Sequence, residues 1–565
     1  MSFAELLEHV GSMGRFQILY VALLSLPIFF MSSHMVLQNF TAATPDHYCA
    51  VYQKTFSGNR TLEEEDLVKI SIPMDEKERL DQCHRYVNPQ WWLLNSSVGV
   101  NASDPEIPLV NGTPPETEPC QDGWVYDRSV FPNTIAMEWD LVCSSRSLKE
   151  MAQSLYMAGV LLGGIVFGSL SDRFGRRPLL IWSYLQLATL GTATAFSPNF
   201  TLYCAFHFLT GMAYSGVVFN CLSLSVEWTP TRTRAILGTW TGFAYTLGQL
   251  LLAGFAYLVP EWRQLQLVVS APYFLFFAYS WWFAESARWL VMAGKPDQAV
   301  KALKRVARMN GKPEAGDKLT IEFLRSEMKK EMAAQKSSYF CLDLVRTPIM
   351  RRISCCLCFV WFSTSFAYYG LVMDLQNFGV SIYFMQVVFS LVDFPSKFLS
   401  ALSLSYVGRR FTQAVTLMLA GLTIVANIFI PEDMLTMRTA FAVFGKGCLA
   451  ASFNCVYLYT GELFPTVLRQ TGMGLSNTMA RLGGMVAPVV KMSGEYVPFL
   501  PHVIYGAAPI VSGLAAAFLP ETLNVPLPDT TAQVENRSRR WKDKEQQQME
   551  DLLHPSKSEA PKTTV

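Results

Sequence analysis

GSLSDRFGRR, residues Gly168–Arg177, and ALSLSYVGRR, residues Ala401–Arg410, are two versions of one pattern set 233 positions apart. Two further pairs keep nearly the same spacing. EWTPTRTR, from Glu227 to Arg234, and ELFPTVLR, from Glu462 to Arg469, both fit E-x-x-P-x-x-x-R at an offset of 235. AESARW and PETLNV carry Glu285 and Glu521 at an offset of 236. Three matches at one spacing describe a duplicated unit, and every copy follows an apolar stretch.

The surrounding composition fixes the class. The chain has 565 residues, 51% hydrophobic and 16% charged, with a mean hydropathy of +0.22, too apolar for a soluble chain of this length. Apolar runs of about 20 residues, the length that crosses roughly 30 Å of hydrocarbon, recur along it. Twelve spans are predicted: the first at roughly Phe16–Gln38, spans 2 to 6 between about Leu148 and Ala284, and spans 7 to 12 between about Ile353 and Leu519. The first lacks a basic leader and a cleavage site, so it reads as a retained anchor. Lys and Arg follow every even-numbered span, which places those ends and both termini in the cytoplasm. The expected division is 1–40, the N-terminus and first span; 41–146, an external loop; 147–284, spans 2 to 6; 285–352, a basic amphipathic cytoplasmic segment on the inner membrane face; 353–521, spans 7 to 12; and 522–565, a disordered tail. An all-α membrane protein of two parallel six-helix halves has the layout of a major facilitator transporter, with its substrate site at mid-membrane between the halves. The net charge of +1 gives no basis for a nucleic-acid partner.

The external loop is acid-rich and carries glycosylation sequons at Asn59, Asn95, Asn101 and Asn111, with Asn39 at its edge. It holds Cys49, Cys83, Cys120 and Cys143, an even set in an oxidising compartment, which implies two disulfides in one of three pairings.

On the cytoplasmic side, Asp172 is placed to accept hydrogen bonds from arginines and to cap a helix N-terminus. Asp172, Arg173, Arg176, Arg177, Glu227, Arg234, Glu462 and Arg469 form the candidate inner gate, whose pairs separate when it opens. The second copy has Ser405 and Tyr406 where the first has Asp172 and Arg173, so its gate is expected to be weaker.

Three cations lie at membrane depth: Lys397 in span 8, Lys446 in span 10 and Arg481 in span 11. A charge there costs at least about 2.5–3.5 kcal/mol and persists only with a partner or a water-filled cavity. Asp393 is four residues from Lys397, so the two can pair on one helix face. That leaves excess positive charge in the C-terminal half, Arg481 above all, and the expected counterpart is an anion. Lys446 is read as structural. Trp361, Ser365 and Tyr369 share a face of span 7 with Tyr368 beside them; Phe453 and Tyr457 share a stripe of span 10; Tyr245 lies in span 5. Rings beside cations suit a flat organic anion. The sequence contains no nucleotide loop, metal-ligand cluster or nucleophile–base pair, so neither an enzyme nor direct ATP drive is indicated.

The stretches QNFTAATPDHYC, EWDLVC, DRFGRR, SFAYYGLVMDLQNFGVSIY, GKGCLAASFNC and YTGELFPTVLRQTGMG closely resemble the organic anion transporters of solute carrier family 22, the renal and olfactory types in particular. The resemblance covers all the spans and the external loop. It implies a polyspecific plasma-membrane exchanger of epithelium, taking up aromatic organic anions against intracellular 2-oxoglutarate by alternating access. Related organic cation transporters carry an acid at the position of Arg481. The resemblance places Arg481, Lys397, Tyr245, Trp361, Tyr368, Tyr369, Phe453 and Tyr457 in the pocket, with Asn220 and Leu222 on the opposite wall. Met35 stands where some relatives have asparagine, and Leu222 where some have methionine. A chloride is the ion expected at Arg481 when no substrate is bound; no other cofactor is implied. The terminal KTTV, through Thr563 and Val565, fits a PDZ-domain ligand. A carrier for organic cations or zwitterions, or a non-transporting receptor of the same fold, is the alternative.

Overall fold

The computed structural model describes the chain except for residues 1–2, 52–63, 75–78, 92, 94–114, 231–232, 325, 327–341, 432, 529 and 537–565. The sequons Asn59, Asn95, Asn101 and Asn111 and the terminal Thr563 and Val565 lie outside the described residues.

Among the described residues twelve helical segments correspond to the expected spans: α1 (Arg15–Val36), α2 (Ser147–Phe174), α3 (Arg176–Ala195), α4 (Phe200–Trp228), α5 (Arg234–Leu258), α6 in two pieces (Trp262–Ser270 and Pro272–Ser280), α7 (Pro348–Val372), α8 in two pieces (Ile382–Leu391 and Asp393–Tyr406), α9 (Arg409–Ile428), α10 (Leu435–Leu463), α11 (Arg469–Met492) and α12 (Leu500–Ala517). Eight of them are long and apolar enough by themselves to cross a membrane. The other four are α3, α5, α6 and α11. Proline explains both interruptions. Pro272 opens the second piece of α6, and Pro395 lies in the first turn of the second piece of α8, where its ring cannot follow an unbroken helix.

The duplication is visible in the packing. In the first half α1 packs on α5, α2 on α4, α3 on α4 and α3 on α6; the second repeats this as α7 on α11, α8 on α10, α9 on α10 and α9 on α12. The halves meet where α2 packs against α11 and, by the same symmetry, α8 against α5. Backbones come close at these crossings, as small residues allow in lipid. A Cβ on Gly159 of α2 would lie 2.1 Å from the Phe208 carbonyl oxygen of α4.

Both copies of the repeated pattern share one capping device. The Glu285 carboxylate accepts from the Arg176 and Arg177 amides at 3.3 and 3.1 Å. Glu521 accepts from the Arg409 and Arg410 amides at 2.9 and 3.0 Å. Each acid satisfies two orphan donors at the start of α3 or α9 and meets the positive end of the helix dipole. Burial pushes the Glu285 carboxyl above the usual glutamate value, against the pull of these donors. The residue before each helix is a glycine at positive φ, Gly175 at 102° and Gly408 at 117°. A side chain there would also strike the capping carboxylate, at 2.4 and 2.7 Å. The cap is therefore Glu285 and not Asp172, which is exposed.

Two more expectations change. The basic helix Pro296–Met309 buries Leu303, Val306 and Ala307 in the core of the first half, so it is docked on protein. The tail is packed as far as Asn536: Val534 joins the cytoplasmic core of the second half, Pro528 accepts from the Thr466 amide at 2.9 Å, and Glu535 accepts from the Ile349 amide at 3.0 Å. Composition marked this segment as polar, and its few anchoring contacts lie far away in sequence.

The external loop pairs β1 (His47–Cys49) with β4 (Trp124–Tyr126), and β2 (His84–Tyr86) with β3 (Thr117–Pro119). Of the three possible pairings the structure has Cys49–Cys120 and Cys83–Cys143. Arg85 binds Glu118 at 2.8 Å and Asp122 at 2.6 Å across this small fold. The Asn39 Nδ2, the atom a glycan would occupy, donates to the Val372 carbonyl at 2.9 Å, so this sequon sits at the joint between the halves and not on an open loop.

Gly159→Val is expected to cost about 1–3 kcal/mol as overpacking, read as a lower melting temperature of the purified protein. Gly238→Ala, where no atom lies within 4 Å of the added carbon, leaves it unchanged or higher. Non-reducing peptide mapping should recover Cys49 with Cys120 and Cys83 with Cys143.

Candidate functional site

Arg481 sits twelve residues into α11, about 18 Å along the helix, near its middle. Its Nη1 donates across the interface to the first half, to the Val160 carbonyl of α2 at 3.1 Å and to the Ser215 Oγ of α4 at 2.6 Å. The guanidinium lies over the Phe219 ring at 4.9 Å. Its Nε has no partner, and among the described residues no carboxylate pairs with it. The nearest electrostatic neighbours are the hydroxyls of Tyr214, Tyr369 and Tyr156. Tyr245 of α5 lies close enough to Tyr214 of α4 and Tyr369 of α7 to act on both electrostatically, so three helices bring tyrosines to the arginine. The Tyr156 hydroxyl is buried without a partner.

Beside this centre the rings of α7 and α10 form a wall. Tyr368 meets Tyr369 at 5.4 Å and Phe453 at 5.3 Å, both edge-on. Trp361 lies 6.3 Å from Phe453 and 6.2 Å from Tyr457, and its Nε1 donates to Thr460 at 2.9 Å. Trp361, Tyr368, Tyr369 and Phe453 are thus joined by ring contacts, with Arg481 and Tyr245 acting on Tyr369 at one end of the wall. Tyr457 stands at its exposed edge.

Of the three others, Asn220 and Met35 make their contacts elsewhere. Asn220 is fully buried between α2 and α4: it accepts from Ser171 at 2.8 Å and donates to the Gly216 carbonyl at 2.7 Å, so it binds helix to helix. Leu222 is half-buried on α4. Met35 lines an outer cavity beneath the external loop. The sequence reading missed Ser215 and Phe219. They lie four apart, on one face of α4, but only the packing shows that this face meets Arg481.

Lys446 is structural, as expected, but it and not Lys397 is the partner of Asp393. Asp393 pairs with Lys446 of α10, and Lys446 also donates to the Phe389 carbonyl and lies 5.5 Å over the Tyr368 ring. Lys397 instead donates across the interface, to the Gly242 carbonyl at 2.9 Å and the Thr246 Oγ1 at 2.8 Å of α5. The break at Val392 puts Asp393 at the head of its own helical piece, where it faces α10 and not its neighbour one turn on.

The two ends of the molecule differ. Outside, Lys491 of α11 bridges to Glu150 of α2 at 3.3 Å and to Asp374 at 3.2 Å, and His502 lies 3.5 Å from Asp374. Burial alone would raise the Asp374 carboxyl; Lys491 and His502 outweigh it and hold it below the usual aspartate value. This latch ties the halves together on the outer side. Inside, Arg176 pairs with Asp172 at 3.0 Å and Glu227 at 3.5 Å, all in the first half. Arg409 pairs with Glu462 at 3.0 Å, both in the second. In this state each cluster stays within its own half. The second copy has Ser405 and Tyr406 in place of Asp172 and Arg173 and keeps only the pair of Arg409 with Glu462, where Arg176 has two acids. Arg177 and Arg234 donate to backbone carbonyls, of Trp281 at 2.7 Å and Thr229 at 3.2 Å. Arg469 reaches Thr466 at 3.5 Å, and Arg173 is exposed over Phe174.

Comparison with known proteins agrees with this architecture. A family described as "Sugar (and other) transporter" matches residues 109–532. The xylose transporter XylE from E. coli in an inward-open conformation superposes with a TM-score of 0.54 at 16% identity, over 70% of this chain and 91% of that one. The proton:xylose symporter XylE bound to 6-bromo-6-deoxy-D-glucose gives 0.52 at 17%, over 70% and 90%. Fold and site define a multi-pass membrane transporter of the major facilitator type, not an enzyme. Solute carrier family 22 member 6-A of Xenopus laevis is 56% identical over 100% of this chain and 99% of its own length. Solute carrier family 22 member 6 of Danio rerio is 53% identical over 95% of each chain, and member 20 of Mus musculus 51% over 96% of each. The chain belongs to solute carrier family 22.

Removing one partner of the buried Asp393–Lys446 pair, by Asp393→Asn or Lys446→Met, should destabilise the protein by about 3–5 kcal/mol, whereas the double variant Asp393→Leu with Lys446→Met should recover most of it. Thermal unfolding of the purified variants measures both.

Proposed function

We propose that the protein is a plasma-membrane organic anion transporter that exchanges aromatic organic anions for an intracellular dicarboxylate such as 2-oxoglutarate. The observation that carries this reading is Arg481, a mid-membrane guanidinium with a free Nε, no carboxylate partner and a wall of aromatic rings beside it. A carboxylate fits that charge, and the rings of Tyr368, Tyr369, Phe453 and Trp361 suit the organic body. Chloride is the anion we place there when no substrate is bound. The family relatives support transport. An organic cation is disfavoured by the same arginine, and a receptor role leaves the two-ended gating unexplained.

The mechanism is alternating access. In the state described here the Lys491 latch closes the outside. Arg481 holds the halves together through Val160 and Ser215, so an anion that takes over its hydrogen bonds releases one tie between them. An empty carrier keeps that tie and reorients slowly, which is the condition for exchange. Lys397, held by Gly242 and Thr246, is a second such tie on the α8–α5 crossing. Both termini are placed in the cytoplasm, where the final Thr563 and Val565 would meet a PDZ domain.

Arg481→Ala tests the reading. Loss of a charge-assisted hydrogen bond worth about 1.5–3 kcal/mol should lower uptake of a labelled aromatic carboxylate roughly 10- to 100-fold at equal surface expression. Wild-type uptake should rise when cells are preloaded with 2-oxoglutarate. Uptake indifferent to preloading would sink the exchange mechanism, and a fully active Arg481→Ala would make the arginine structural.

A further inference from the structure

The outer cavity occupies about 660 Å3 between the external loop and the latch. Its acids and its bases are not treated alike. Glu150 and Asp374 are both taken by Lys491, and the remaining acid of the lining, Glu495, is exposed. Two cations of the lining make no ion pair among the described residues, although Glu150 and Asp374 act on Lys149 electrostatically. Lys149 is 8% exposed, and its Nζ donates only to the Thr44 hydroxyl, at 2.9 Å. Arg146, three residues earlier at the head of α2, is exposed, and its guanidinium makes no hydrogen bond or ion pair among the described residues. His47 lies close enough for both cations to act on it electrostatically. It is 6% exposed, its Nδ1 faces the Pro45 carbonyl at 2.9 Å, and its Nε2 is buried without a partner. The indole Nε1 of Trp124, also in the lining, is buried and unpartnered too.

A buried ammonium with two unused hydrogens beside a free guanidinium is costly unless an anion completes it. Solvent alone does not explain why the disulfides hold the cap over this corner, since Cys83, Cys120 and Cys143 all belong to the lining. We propose that this vestibule is an external docking site for organic carboxylates, in which Arg146 and Lys149 bind the carboxylate beside the Trp124 indole. This rests on the anion-transport reading above and adds to it a first stop outside the latch, distinct from Arg481. An anion held there waits next to Lys491, the group that must let go of Glu150 and Asp374 before the outside opens. Such a site raises the local concentration of substrate on one side of the membrane only.

The asymmetry gives the test. Full-length protein in proteoliposomes is assayed for benzoate transport in both directions, as wild type, Arg146→Gln and Lys149→Gln. The exposed Arg146→Gln leaves the fold undisturbed and decides the matter. The expected result is an influx KM raised about three- to tenfold, with the efflux KM and the maximal rate unchanged, and a larger influx effect for Arg146→Glu. An unchanged influx KM in Arg146→Gln, or equal rises in both directions, overturns the docking site. Failure of the wild type to carry benzoate or glutarate at all would instead overturn the anion-transport reading, so the two failures are distinguishable.

Discussion

A guanidinium near the middle of the membrane without an acid to neutralise it is the constraint on which the rest of this structure depends. Arg481 is stabilised by one carbonyl, one hydroxyl and the face of Phe219, all supplied by the opposite half. Those contacts satisfy part of its hydrogen-bonding capacity and none of its charge. The site is therefore polar enough to persist and incomplete enough to take an anion. Its position on α11, against α2 and α4, also makes it a joint between the two bodies that must move.

The duplicated architecture distributes the remaining charges by depth. At one end of the molecule Glu285 and Glu521 cap α3 and α9, and arginines pair with acids of their own half. These clusters stiffen each half as a unit. At the opposite ends one pair runs between halves, Lys491 with Glu150, while Asp374 holds Lys491 from its own half. An asymmetry of this kind separates what holds a half together from what holds the halves to each other. It also makes one end the side that is closed in this structure.

The buried pair of Asp393 and Lys446 shows how little spacing along a helix decides in a membrane interior. Asp393 stands one turn from Lys397, and the helical period alone favours that pairing. Pro395 interrupts α8 at Val392, the short second piece turns Asp393 towards α10, and Lys446 takes it. Lys397 is thereby released to reach the Gly242 carbonyl and Thr246 across the interface. One proline thus sets which lysine is locked in the core and which is left at the moving joint.

The amino-acid sequence by itself determined the class and the layout: apolar length, the Lys and Arg bias of alternate loops and the repeat at one spacing are local quantities that need no third dimension. It also marked Arg481 and the rings of α7 and α10, because a charge in an apolar run stands out wherever the run packs. Partner choice was decided only in three dimensions. Asp393 with Lys446, Cys49 with Cys120, Lys491 with Glu150 and Asp374, and Phe219 beneath Arg481 join residues far apart in sequence, and the sequence offers several acids, cysteines and rings of equal merit for each. Asn220 and Met35 fell outside the mid-membrane centre for the same reason: the rotation of a helix about its own axis is set by what packs against it.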